Sequence, residues 1–444
     1  MAEDRIDKFS KDPKKALLSL SWPIVLAMLV QSLYNIVDTA FVGRLGAEAI
    51  AALTFSFPLF FILIAINSGL STGMGSRIAR YLGEKNQTAA ENTAMHGMLY
   101  SLLLASVIFV VGNLSLRWLF SLFGAEGEVI PLATGYMSVI LLAVFFMFPS
   151  YVIINIFTAQ GDTRTPVKIQ VAALLLNIIL DPLFIYVFDL GVRGAAYATL
   201  VTFGVALSMG LYLVRRKSQL KLRYRCFSYS RFISKDIISV GLPAALSMLF
   251  MSIYVMFINR FMAHYSTEHV AAFGIASRLE SIAIMPIAAF SIAMLTLVGM
   301  FYGARKYDKL KEVARFGLLA TISFASILGA VFFISPELFL SVFTDEQGII
   351  ALASPYMRIN VFTFPLMAIG ASIGRILQGM GKGLPSLMIN LIRIFVVAVP
   401  MAYAFVFIFG FDYLTIAYAM VAGGLAGSIV GFILLARSFS RLSN

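Results

Sequence analysis

Apolar runs of about 20 residues recur along nearly the whole chain, and no other feature limits its fold so severely. A helix needs roughly 20 residues to cross about 30 Å of hydrocarbon. Scanning for such runs between charged or turn-rich breaks gives twelve spans: 17–41, 49–76, 93–114, 133–158, 167–188, 194–214, 236–262, 270–300, 314–334, 351–376, 386–409 and 414–436. Only 13% of the residues are charged, where a soluble chain carries roughly a quarter. A water-soluble globular enzyme, a disordered chain and a secreted disulfide scaffold are thereby excluded. The one cysteine, Cys226, rules out an intramolecular disulfide and multi-cysteine metal centres. The polar start with Asp4, Asp7 and Asp12 predicts that no cleavable signal peptide precedes the first span.

Positively charged loops are retained in the cytoplasm. With the amino terminus inside, the inner segments hold 27 of the 34 Lys and Arg residues, against four outside at Arg44, Arg117, Arg193 and Arg260. Both termini are therefore expected in the cytoplasm. The same distribution accounts for the net charge of +12. The basic excess is spread over seven inner segments instead of forming one stripe, so no nucleic-acid partner is expected.

The chain also repeats itself. A shift of 220 residues lays Gly241 and Pro243 over Ser21 and Pro23, Tyr254 over Tyr34, Gly303 over Gly83, Gly317 over Gly97 and Tyr356-Met357 over Tyr136-Met137. A slip to 218 then pairs Gln160-Gly161 with Gln378-Gly379 and Asp181-Pro182 with Val399-Pro400. Six spans per repeat is an even number, so both repeats enter the membrane in the same direction. The expected fold is an all-α polytopic membrane protein with twelve transmembrane helices in two parallel six-helix repeats. Its lobes would be 1–214 and 236–444, joined by the basic segment 215–235.

Carboxylates within spans cost at least about 2.5–3.5 kcal/mol and are functional candidates by default. Three occur, Asp38, Asp181 and Glu280. Gln31, Tyr34 or Asn35, and Asp38 share one face of the first span, and Gln170, Asn177 and Asp181 one face of the fifth. Their counterparts by the repeat, Ile258, Phe395 and Val399, are apolar, so the acidic site is confined to the first half. Such a site would exchange a proton after desolvation or hold sodium with hard oxygens; the residues do not choose between them. The alternative is structural: both aspartates hydrogen-bond a neighbouring helix, or Asp181 caps backbone freed near Pro182.

Prolines such as Pro23 would bend spans. Arg278 and Glu280, two residues apart, cannot face each other on a helix and are expected to make structural or gating contacts with other helices. Arg358 and Arg393 serve similarly or snorkel. His96, His264 and His269 lack a metal-ligand pattern, and neither a Walker loop nor a hydrolase motif is present. An enzyme is not expected.

The pattern Gln31, Tyr34, Asn35 and Asp38 followed by Gly43 and Gly46, with Asn177, Asp181, Pro182 and Tyr186, and with Gly194, Tyr197 and Thr199, resembles the multidrug and toxic compound extrusion (MATE) family over essentially the full length. It is most similar to the DinF-like branch; the NorM-like branch uses an acid on helix 7, where this chain has Met251. The resemblance implies a cation site at Asp38, Asn177, Asp181 and Thr199, and substrate contacts at Met28, Gln31, Tyr34, Asn35, Asn155 and Met251. It further implies a monomeric antiporter of the cytoplasmic membrane that exports cationic or amphipathic drugs or toxic compounds against H+ or Na+ by alternating access, with no cofactor. A lipid-linked precursor flippase of the same superfamily is the alternative; it would need several cationic side chains in its cleft, for which Arg278, Arg358 and Arg393 are the candidates.

Overall fold

The computed structural model describes residues 2–222 and 227–442; the side chains of residues 2–4, 35 and 38–40 lie outside the described residues. After a short amphipathic helix α1 (Ala2–Lys11) come α2 (Pro13–Gly43), α3 (Ala47–Gly83), α4 (Gln87–Leu122), α5 (Val129–Ala159), α6 (Arg164–Pro182) and α7 (Val192–Lys217). The second half has α8 (Arg231–Met262), α9 (Thr267–Gly303), α10 (Tyr307–Ile334), the single turn α11 (Pro336–Leu340), α12 (Gln347–Asn360), α13 (Thr363–Gly379), α14 (Gly383–Leu391), α15 (Val399–Tyr403) and α16 (Leu414–Ser440). Wider π-helical turns follow α6 at Leu183–Val187, α14 at Ile392–Ala398 and α15 at Ala404–Ile408. Among the described residues eleven helices are long and apolar enough to cross a membrane, and α12 with α13, bent by 50° at their break, makes twelve if the pair is one span. The expected twelve spans correspond to these elements, most of them a few residues longer at their ends.

Two compact units emerge. One holds Met1–Arg5 with Trp22–Gly241, the other Ile6–Ser21 with Leu242–Asn444. The changes of unit therefore fall inside α1, α2 and α8, each of which runs on unbroken, and not in the segment 215–235. In the first unit α5 is apolar around most of its circumference and is enclosed by α3, α4 and α7, burying Met137, Ile140, Val144 and Phe148. In the second, α9 and α13 take the central place, with Ala276, Leu279, Tyr356 and Phe364 in the core.

The repeat is visible in the turns. Lys85 and Arg305 both adopt the left-handed conformation, at φ 58° and 55°. Behind them the Asn86 N–H donates to the Tyr81 carbonyl and the Lys306 N–H to that of Phe301, each at 2.9 Å. Gly161 (φ 74°) matches Gly381 (φ 82°) in the same manner, with Asp162 N–H bonded to Phe157 and Lys382 N–H to Leu377. The shift of 220 therefore persists here, and the expected pairing of Gly161 with Gly379 is corrected. Gly379 instead permits close packing, because a side chain there would meet the Leu295 carbonyl at 2.8 Å.

The register changes later, by one residue in the opposite direction. Leu174, Asn177, Asp181 and Ile185 are buried in the first half, and Ile394, Ala398, Ala402 and Val406 in the second. Spacings of three, four and four become four, four and four because the π turn Ile392–Ala398 accommodates one inserted residue. Beyond it the shift is 221: Phe188 N–H bonds the Leu183 carbonyl and Phe409 N–H the Ala404 carbonyl, both at 2.9 Å. Asp181 thus corresponds to Ala402 and Asn177 to Ala398, not to Val399 and Phe395.

Candidate functional site

On α6, Asn177 and Asp181 stand one turn apart on one face, and both are fully buried. The Asn177 Nδ2–H donates to Asp181 Oδ1 at 3.0 Å. That bond steers the amide so that Asn177 Oδ1 is left buried with no hydrogen-bond partner among the described residues. Pro182 has no N–H to donate, and the π turn begins directly after it, so the backbone around the carboxylate departs from regular α-helix. Such departures inside helices are frequently found at functional sites.

Thr199, on α7, is 6% exposed, and its hydroxyl lies 3.2 Å from the Tyr34 hydroxyl of α2. Asp38 and Asn35 belong to the same helix as Tyr34, but their side chains lie outside the described residues. Of the expected cation set, then, Asn177 meets Asp181 directly, and Thr199 meets Tyr34. These are oxygen donors suited to a proton or a hard monovalent cation.

Two cavities flank Tyr34. The larger, of about 250 Å³, lies between α2, α3, α5 and α7 and is lined by Thr199 and a set of aromatic rings that includes Phe57, Phe60, Phe61 and Tyr136. The smaller, of about 50 Å³, reaches Gln170 on α6 and Thr202 on α7. Gln31, Tyr34, Tyr151 and Phe203 belong to both and form the partition. Gln31 and Tyr34 are therefore placed at a cavity. Met28 and Asn155 line neither; Asn155 donates to the Tyr151 carbonyl one turn back at 3.0 Å. Met251 belongs to the second unit, half-buried against its apolar core.

The aromatic lining carries no distinct signal in the sequence, because Phe and Tyr at helical spacing are common in so apolar a chain. Of the buried polar cluster of the second unit, only the acid stands out in the sequence. Glu280 is buried and accepts from Asn360 Nδ2 at 3.2 Å, beside the break between α12 and α13. Arg278, two residues away, is exposed. The Arg393 guanidinium lies 6.0 Å from the centre of the Tyr254 ring. Arg358 is paired at 3.0 Å with Glu337 of α11, and both are about half exposed. Pro23 is buried within α2 without ending it.

Two six-span repeats, the first holding the buried Asn177–Asp181 pair and, separately, an aromatic cavity around Tyr34, fit a multi-pass membrane transporter. The MatE family model matches residues 23–183 and again 243–404, and the chain belongs to that family, whose members are transporters and not enzymes. The two matches begin 220 residues apart and end 221 apart, in agreement with the inserted residue. Among its relatives is a probable multidrug resistance protein, YoeA, of Bacillus subtilis strain 168, 27% identical over 86% of this chain and 84% of that one. An FAD transporter of Shewanella oneidensis is 28% identical over 90% of each. A solved multidrug resistance MATE family transporter of the MOP superfamily, in an outward-facing conformation, superposes with a TM-score of 0.93 at 33% identity, covering 99% of this chain and 98% of its own.

Proposed function

We propose that the protein is a secondary active antiporter of the cytoplasmic membrane, monomeric and with both termini inside. It exports cationic or amphipathic small molecules in exchange for H+ or Na+ by alternating access. The observation that carries this reading is the Asn177–Asp181 pair, fully buried in the first half and replaced by Ala398 and Ala402 in the second. Burying a carboxylate in a membrane helix is costly, and a purely architectural role would be expected to recur with the architecture. The coupling cation binds at Asp38, Asn177, Asp181 and Thr199, as in the DinF-like branch. A cation moving inward gains about 2.3 kcal/mol per charge per 100 mV.

The cavity beside Tyr34 receives the exported compound. Its aromatic faces attract cations and apolar rings alike, and Gln31 and Thr199 supply polar contacts. The names of the multidrug resistance relatives support export of drug-like small molecules.

The test is purified protein in liposomes, with efflux of a fluorescent organic cation followed under an imposed sodium gradient and, separately, an imposed proton gradient. One of the two gradients should drive efflux. Transport driven by neither would overturn the antiport reading.

A further inference from the structure

We propose that the pocket between the starts of α2 and α10 is a binding site for an aminophospholipid headgroup. It is a cavity of about 530 Å³ lined by three cations, Lys14, Lys311 and Arg315, and by two carboxylates, Asp308 and Glu312. The Lys14 ammonium lies 5.9 Å from the centre of the Phe316 ring, which forms the apolar side of the pocket. One turn further along each helix the chain exposes a leucine, Leu18 after Lys14 and Leu319 after Arg315, at 47% and 64%. Charge at the mouth and exposed aliphatic side chains one turn deeper is the profile of a site at a membrane surface, with a headgroup above and acyl chains below.

The repeat says why this face is open. Its first-half counterpart on α4 is covered by the segment that leads into α8. There Glu91 accepts the Lys221 N–H at 3.1 Å, Asn92 bonds Ser228 in both directions, and His96 Nε2 accepts the Ser230 N–H at 3.0 Å. In the second half α1 takes the place of that segment. Its Asp7 and Ser10 bind Lys306, in the turn before α10, and among the described residues Arg315 and Leu319 on the neighbouring face are exposed.

The mixed charge selects the ligand. A phosphate diester fits the three cations. A headgroup carrying phosphate alone would meet Asp308 and Glu312 as repulsion, although Glu312 is also paired with Lys309 at 3.0 Å. Ethanolamine adds an ammonium with three N–H donors for those carboxylates, whereas choline has none to offer.

Full-length protein in detergent is titrated with phosphatidylethanolamine, phosphatidylcholine, phosphatidylglycerol or inorganic phosphate, with thermal unfolding and native mass spectrometry as readouts. Phosphatidylethanolamine should stabilise at concentrations about tenfold lower than phosphatidylcholine and be retained as a bound lipid. Lys14→Ala with Arg315→Ala should abolish that advantage, and the milder Lys14→Gln should reduce it. Asp308→Asn with Glu312→Gln should erase the preference for ethanolamine over choline. Equal responses to the lipids, a preference for phosphatidylglycerol, a comparable response to inorganic phosphate, or variants that bind as the parent does would each overturn the proposal.

Discussion

Asp181 is held by its own helix, since Asn177 one turn earlier donates to it and Pro182 follows it directly. Asp181→Asn keeps the side-chain volume and removes the charge. It should leave expression intact while lowering gradient-driven efflux tenfold or more, a loss of about 1.4 kcal/mol or greater, measured in liposomes against the parent protein. Asp38→Asn should do the same if both carboxylates serve the cation. A fully active variant at either position would remove that residue from the mechanism.

Glu337 offers a check on the surface. The Ser354 hydroxyl, then the backbone and Arg358, hold its carboxyl below the ordinary carboxylate range. A depressed pKa in the folded state means stability that is present above the unfolded value and lost as pH falls through the folded one. Unfolding midpoints should therefore drop below about pH 4, and Ser354→Ala should weaken that dependence. The effect is small because the pair is half exposed. A variant with an unchanged pH profile would remove Ser354 as the cause.

Among the elements, α3 and α8 approach backbone to backbone. A side chain at Gly73 would run into the Ile237 carbonyl, and one at Gly241 would meet the Gly69 carbonyl at 2.7 Å. Because rigid backbone, and not a flexible side chain, fills the space, Gly73→Ala should destabilise by about 1–3 kcal/mol, read as a lower unfolding midpoint. The π turns give a more pointed test. Deleting Phe395 should convert the turn Ile392–Ala398 into ordinary helix with the first-half spacing, so the midpoint should stay within about 4 °C. Deleting Phe405 removes a residue from the turn that both halves share and should cost far more.

For the whole molecule, the division of the chain into units has a direct consequence. Leu17, within the segment Ile6–Ser21 that joins the second unit, is fully buried, and a side chain at Gly317 would contact it. Residues 231–241 likewise belong to the first unit, fastened there by Asp236 between Arg77 at 3.4 Å and Arg80 at 2.5 Å. Cutting the chain within 223–226 therefore leaves each fragment without a piece of its own unit. Fragments 1–222 and 227–444 expressed singly should be degraded, and co-expression should restore a membrane-resident protein, as read by immunoblot of membranes. Stable accumulation of either fragment alone would contradict the division.

The spans, the repeat and the acid at Asp181 could be read from the chain by itself because they rest on local chemistry. Twenty apolar residues have no other solvent than lipid, an i, i+4 amide and carboxylate must share a face, and turn residues such as Gly83 and Gly303 recur in register. The resemblance carried by Gln31, Asn177 and Thr199 then led to the family. What local chemistry leaves open is how side chains from distant helices meet. The aromatic cavity around Tyr34 needs α2, α3, α5 and α7 together. The inserted residue at Ile392–Ala398 changes hydrogen bonding without changing composition, so the prolines Pro182 and Pro400 do not occupy equivalent positions and Asp181 corresponds to Ala402 instead of Val399. The unit boundary within unbroken α2 and α8 had no sign in the sequence, because a helix needs no break to pass from one core to another: only packing, as of Leu17 near Gly317 and of Ile237 against Gly73, decided it.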